Sequence, residues 1–77
     1  MARRKAAPRI IKKRDRFKEL RVLFGKTQRA LSLDLGVTES FIRELESGRS
    51  NPEITFAFKV AKYFETTVDD VFQDLAE

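Results

Sequence analysis

From Asp15 onward the apolar residues recur at intervals of three and four, the period of helices that bury one face. Phe17, Leu20 and Phe24 fall at i, i+3 and i+7, with Asp15 as a cap before them and Gly25 as a stop, which predicts a first helix. Thr27 caps a second, in which Ala30, Leu31 and Leu35 keep helical spacing up to Gly36. Val37 enters the core and Thr38 caps a third, whose inward positions are Phe41 or Ile42 and then Leu45, before Ser47 and Gly48 break it. Asn51 or Glu53 opens a fourth helix, with Pro52 tolerated in its first turn and Ile54, Ala57, Phe58, Ala61 and Phe64 as its apolar stripe. A short last helix starts at Thr67, which forms a variant capping box with Asp70; it buries Val68, Val71 and Phe72, with Leu75 near its end. No segment has the two-residue period of a strand. The expected fold class is all-α, five short helices in one compact domain over 15–77.

Residues 1–14 break this pattern. They hold seven basic side chains and no acid, Pro8 interrupts any helix that Ala6 and Ala7 start, and Ile10 and Ile11 are the only large apolar anchors. The segment reads as a basic flexible arm, either a solvated tail or a ligand for a polyanion. The whole chain carries +4, but residues 1–29 have twelve Lys/Arg against two acids, or +10, while residues 30–77 have four against ten, or −6. Such polarity points to nucleic acid or an anionic membrane surface as partner. No apolar stretch exceeds three residues, which argues against a membrane span or secretory signal and for a cytoplasmic protein. Ile10 and Ile11 supply too little area for a membrane anchor.

With 77 residues and no cysteine or histidine, disulfides, thiolate nucleophiles, imidazole relays and zinc sites of the usual ligands are excluded. Asp69, Asp70 and Asp74 are the residual candidates for a hard cation, but the first two sit in the first turn of a short helix, where the dipole favours acids in any case. Neither an enzyme, a metal nor a cofactor is expected.

The segment 27–48, TQRALSLDLGVTESFIRELESG, joins two helices of about eight residues across a short turn with Gly36, and Ser32 is small enough to let their backbones approach. A helix held proud of the surface in this way fits the DNA major groove. FKELR at 17–21, Thr27 and Gln28, Leu31, LGVT at 35–38, IRELESG at 42–48, Asn51 and Pro52, AFKVA at 57–61 and VDDVF at 68–72 occur in order. With these marks the sequence resembles the lambda-repressor-like, Cro/CI-type (XRE) helix-turn-helix family of transcription regulators. The resemblance spans residues 17–73.

The resemblance implies a compact five-helix domain behind the basic arm. Thr38, Glu39, Ser40, Arg43 and Glu44 match the recognition-helix positions that face base edges or the flanking backbone in relatives. Gln28 matches a glutamine that bonds a phosphate and braces the recognition helix, and Asn51 matches a loop position in contact with phosphate; the alternatives are a residue that stabilises only its own helix and a helix cap. Glu46 and Arg21 match a structural ion pair. Arg43 is chemically fit to donate twice to guanine O6 and N7 or to hold a phosphate, unless it is spent on Glu39 or Glu46. Glu39 either accepts from cytosine N4 or holds Arg43 in place. Backbone contacts are expected from Gln28, Arg29, Arg49 and Asn51 and from Arg3, Arg4 and Lys5 of the arm.

The sequence also departs from the family pattern. Lys26 stands where relatives bury an aliphatic side chain, Glu65 where a glycine or asparagine ends helix four, and Arg29 and Ala30 where acids are common. Val22, Leu23, Leu33, Phe56 and Tyr63 are apolar at usually polar positions, which suggests a partner surface, first a homodimer. The expectation is therefore a sequence-specific DNA-binding regulator, a repressor that binds a palindromic operator in double-stranded DNA as a homodimer. The alternative is a protein-interaction module on the same fold, antitoxin-like or bridging, because acids outnumber the single basic residue on the recognition helix.

Overall fold

The computed structural model describes residues 12–76, of which Ala76 only by its backbone, so the expectations for Arg3, Arg4 and Lys5 and for most of the arm lie outside the described residues. Five α-helices follow in order: α1 (Asp15–Leu23), α2 (Gln28–Leu35), α3 (Glu39–Ser47), α4 (Ile54–Tyr63) and α5 (Val68–Val71), with a closing 3-10 turn at Gln73–Ala76. There is no strand among the described residues, so the fold is all-α as expected.

Three threonines start three of the helices by the same chemistry. The Oγ1 atoms of Thr27, Thr38 and Thr67 accept from the backbone N–H of Ala30, Phe41 and Asp70 at 3.0, 3.1 and 3.1 Å, each satisfying a donor that the first turn leaves unpaired. Gly36 (φ 74°) and Gly48 (φ 85°) close α2 and α3 in the left-handed region. The other two starts differ from the pattern read in the sequence. Asp15 is the first residue of α1 and Arg14 takes the cap position, without a side-chain cap bond. Glu53 caps α4, so Pro52 precedes the helix and Asn51 is not its cap.

The core gathers Phe17 and Leu20 of α1, Leu31 and Leu35 of α2, Ile42 and Leu45 of α3, Ala57, Val60 and Ala61 of α4 with Phe64 after it, and Val71 and Phe72. The stripe of α4 needs correction. Val60 is buried, while Ile54 is 71% and Phe58 61% exposed. Ala57, Val60, Ala61 and Phe64 fill the inner face; Phe58 points about 100° away from Ala57, one helical step round, and Ile54 opens the helix beyond the packed part. Phe24 is also more exposed than its spacing implies, its ring set against Phe64 at 5.3 Å.

Arg14, which charge alone assigns to the arm, is interior, only 4% exposed. Its backbone N–H donates to the Glu46 carbonyl at 2.8 Å, and its guanidinium turns inward. Two further arginines fix α1. Arg16 pairs with both carboxylate oxygens of Asp70 at 2.9 and 3.0 Å, and Arg21 with both of Glu46 at 2.8 and 3.1 Å, while Arg21 Nη1 also donates to the Lys26 carbonyl. The Arg21 and Glu46 pair joins α1 to α3, as the family resemblance implies.

The guanidinium of Arg16, then the hydroxyl of Thr66, hold the Asp70 carboxyl below its ordinary 3.8. A carboxylate with a lowered folded pKa stabilises the fold fully above its unfolded value and ceases to as pH falls through the folded one. The melting temperature should therefore drop on acidification below about pH 4, and Asp70→Asn should flatten that part of the curve. A slope just as steep in the variant would assign the acid sensitivity to other carboxylates.

Three of the departures from the family pattern, Lys26, Phe56 and Tyr63, have local partners. Lys26 Nζ lies 3.0 Å from Asp34 Oδ2, which also accepts from the Tyr63 hydroxyl at 2.6 Å, so Lys26 and Tyr63 share one carboxylate between α2 and α4. Phe56 packs on Phe41 at 5.5 Å. Val22, Leu23 and Leu33 remain exposed. Glu65 adopts φ 57° at the end of α4. A side chain with a Cβ is disfavoured there, so Glu65→Gly should raise stability by about 1 kcal/mol in urea unfolding. A destabilised variant would mean that the Glu65 side chain contributes more than its backbone costs.

Candidate nucleic-acid interface

The helix pair that forms the candidate interface is built from α2 and α3. Leu31 and Leu35 of α2 share the core with Ile42 and Leu45 of α3, and Ser32 is buried, its Oγ donating to the Arg29 carbonyl at 2.6 Å. The turn at Gly36 and Val37 reverses the chain, and Thr38 starts α3 at once. Lys59 of α4 donates to the Leu35 carbonyl at 3.1 Å, satisfying one of the last carbonyls of α2.

With Ile42 and Leu45 turned inward and Phe41 half-buried, the outer face of α3 consists of Ser40, Arg43 and Glu44, with Thr38 exposed at its start and Glu39 half-buried beside them. Among the described residues no hydrogen bond or ion pair engages Arg43. Glu46 is held by Arg21, and Glu39 does not reach Arg43, so neither ion pair weighed for Arg43 forms. Glu44 is occupied locally. Its Oε1 accepts from the Ser50 hydroxyl at 2.9 Å, and its carbonyl accepts from the backbone N–H of Arg49 and Ser50 at 2.9 and 3.2 Å.

Gln28 opens α2 and lines a cleft of about 260 Å³ with Lys13, Arg14, Asp15, Lys18, Arg43, Glu46 and Ser47. Gln28 of α2 and Arg43 of α3 thus line one cleft. It also adds Lys13 and Lys18, two cations absent from the residues singled out in the sequence. In the sequence Lys13 is one cation of the arm, and Lys18 stands between the inward Phe17 and Leu20. The two acids at this cleft differ: Glu46 is neutralised by Arg21, whereas Asp15 lies exposed in the first turn of α1. Arg29 on α2 and Arg49 after α3 are exposed. Asn51 is exposed as well; its Oδ1 accepts from Arg14 Nη2 at 2.8 Å, and its side-chain amide keeps its N–H donors for another ligand.

Of the three acids weighed as cation ligands, Asp70 pairs with Arg16 and Asp74 with Arg14, while Asp69 is exposed. Among the described residues no three carboxylates cluster as a metal site requires, and no helix is long and apolar enough to cross a membrane.

The helix-turn-helix family model matches residues 17–71. Over 59 residues, 77% of the chain, the sequence is 39% identical to an HTH-type transcriptional regulator of Archaeoglobus fulgidus, of which it covers 83%. Over the same share it is 36% identical to an HTH-type transcriptional regulator of Methanocaldococcus jannaschii, covering 89% of that protein. A crystal structure of an HTH_3 family transcriptional regulator from Vibrio cholerae is similar over 78% of the chain, with a TM-score of 0.63 and 27% identity; the chain spans about a third, 34%, of that larger protein.

Proposed function

The chain belongs to the helix-turn-helix family of transcriptional regulators, and from that premise we propose that it is a sequence-specific DNA-binding repressor acting as a homodimer in the cytoplasm. The observation that carries the reading is Arg43. It stands on the exposed face of α3 with its guanidinium engaged by no carboxylate among the described residues, and it lines one cleft with Gln28 and the cations Lys13 and Lys18. A buried face of Ile42 and Leu45 holds the helix, so the outward side chains are presented on a rigid support.

In this reading α3 enters the major groove, and Thr38, Glu39, Ser40 and Arg43 meet base edges, with Arg43 bidentate to guanine. Glu44 is the weakest of the readout residues because its carboxylate already serves Ser50. Gln28, Arg29, Arg49 and the amide N–H groups of Asn51 hold phosphates, and Arg3, Arg4 and Lys5 of the arm add backbone or minor-groove contacts. Ile54 and Phe58, exposed four residues apart on α4, offer an apolar surface for a second copy. Such a dimer would set two copies of α3 in successive major grooves about 34 Å apart on a palindromic operator.

Selection of bound duplexes from a random pool tests the proposal. A palindromic site should be enriched, and Arg43→Ala should cost about 1–3 kcal/mol on that site with a smaller loss on random DNA. Equal losses on both would make Arg43 a phosphate ligand. If no sequence rises above background at moderate salt, the interaction module is the better reading, with exposed Val22, Leu23 and Leu33 as its surface.

A further inference from the structure

Arg14 belongs to none of the contacts assigned above, yet all five of its guanidinium N–H donors are used. Nε and Nη2 donate to the two carboxylate oxygens of Asp74, both at 3.0 Å, and Nη2 also to Asn51 Oδ1 at 2.8 Å. Nη1 donates to the Leu45 carbonyl at 2.7 Å and to the Ser50 carbonyl at 2.8 Å. The ring of Phe72 lies 5.4 Å from the guanidinium carbon. The side chain is only 2% exposed, so it has neither the access nor a spare donor to touch DNA itself.

The partners come from three places that the DNA-binding reading uses or adjoins. Leu45 sits in the last turns of α3, two residues beyond Arg43. Ser50 and Asn51 form the loop assigned to phosphate, and Asp74 lies in the closing 3-10 turn. The main chain before Arg14 is pressed onto the same end of α3: a Cβ on Gly48 would collide with the Lys12 carbonyl, and the Arg14 N–H binds the Glu46 carbonyl.

We infer that Arg14 is a positioning residue for DNA binding: its guanidinium holds the C-terminal end of α3, the loop at 50–51 and the end of the basic segment in one register, with Asp74 as its counter-ion. The inference rests on the DNA-binding reading. Burying a charge costs stability unless it is fully paired, and an apolar replacement of a buried ion pair is often no less stable. The worth of such an arginine is therefore geometric. A planar fork with five donors reaches acceptors on three segments at once, which the single ammonium of lysine cannot.

The test uses the full chain with Arg14→Lys and Asp74→Asn, the duplex enriched by the wild type, and a random duplex. Arg14→Lys keeps the charge, so random-duplex affinity, which is electrostatic, should stay within about twofold of wild type. Affinity of the folded protein for the enriched duplex should fall about tenfold or more, the loss of one good base contact. Asp74→Asn, at a half-exposed carboxylate, serves if Arg14→Lys fails to fold, and should likewise weaken the enriched duplex while leaving the random duplex no weaker. A lowered melting temperature with unchanged affinity and preference in the folded variants would overturn the positioning role alone. Absence of any enriched duplex for the wild type would overturn the DNA-binding reading, and with it the inference.

Discussion

Phe17→Ala should leave the protein without a stable fold at 25 °C. The Phe17 ring is fully buried and meets Phe64 edge to face and Phe72 at a tilt, both with centroids 6.0 Å apart, so it joins α1 to the end of α4 and to the residue after α5. Truncating a buried phenylalanine costs about 3–5 kcal/mol, the lost transfer energy plus the cavity. A domain of this size has about 5 kcal/mol in total, and no disulfide exists to limit the unfolded chain. Far-UV circular dichroism with urea titration should show a broad, non-cooperative transition or none. Phe41→Ala, at a half-buried ring that packs on Phe56, is the control and should keep a cooperative transition at a lower midpoint. A Phe17→Ala midpoint close to that of Phe41→Ala would mean that α4 and α5 close over the gap, and that the three-ring contact is not the centre of the fold.

The Phe17 contact also marks what the sequence makes legible. Features that depend on a few neighbouring residues can be read directly. A threonine three residues ahead of an N–H to be satisfied, or a glycine at a required positive φ, has its effect locally, so Thr27, Thr38, Thr67, Gly36 and Gly48 do what their spacing implies. Leu31 and Leu35 of α2 and Ile42 and Leu45 of α3 turn inward for the same reason, while Ala30 is only half-buried. Features set by distant partners are not legible. Ile54 and Phe58 fit the helical period as well as Val60 does, and only the placement of the other helices decides which of them is covered. Arg14 is the extreme case: its acceptors lie between 31 and 60 residues away, so from the sequence it is one more cation in a basic run. The cleft is intermediate. The family pattern implies Gln28 and Arg43 as DNA contacts, whereas Lys13 and Lys18 line the same cleft only because α1 starts against the end of α3.

Deleting residues 2–9 should change the salt dependence of DNA binding more than any point substitution, while leaving the fold intact. The deletion removes Arg3, Arg4, Lys5 and Arg9 but keeps Arg14 and its buried contacts. Each phosphate neutralised contributes about 0.9 to the slope of log K against log salt, so four contacts amount to about 3 to 4 per chain. Between 50 and 200 mM salt that difference is about two orders of magnitude in affinity per chain. The truncated protein should bind much more weakly at low salt, lose less as salt rises, and still enrich the same sequence, because α3 with Arg43 is untouched. A truncated protein with the wild-type slope would exclude the arm from contact. The excess of +10 over residues 1–29 would then act through α1 and the entry to α2, with Lys13 and Lys18 at the cleft as the cations to test next.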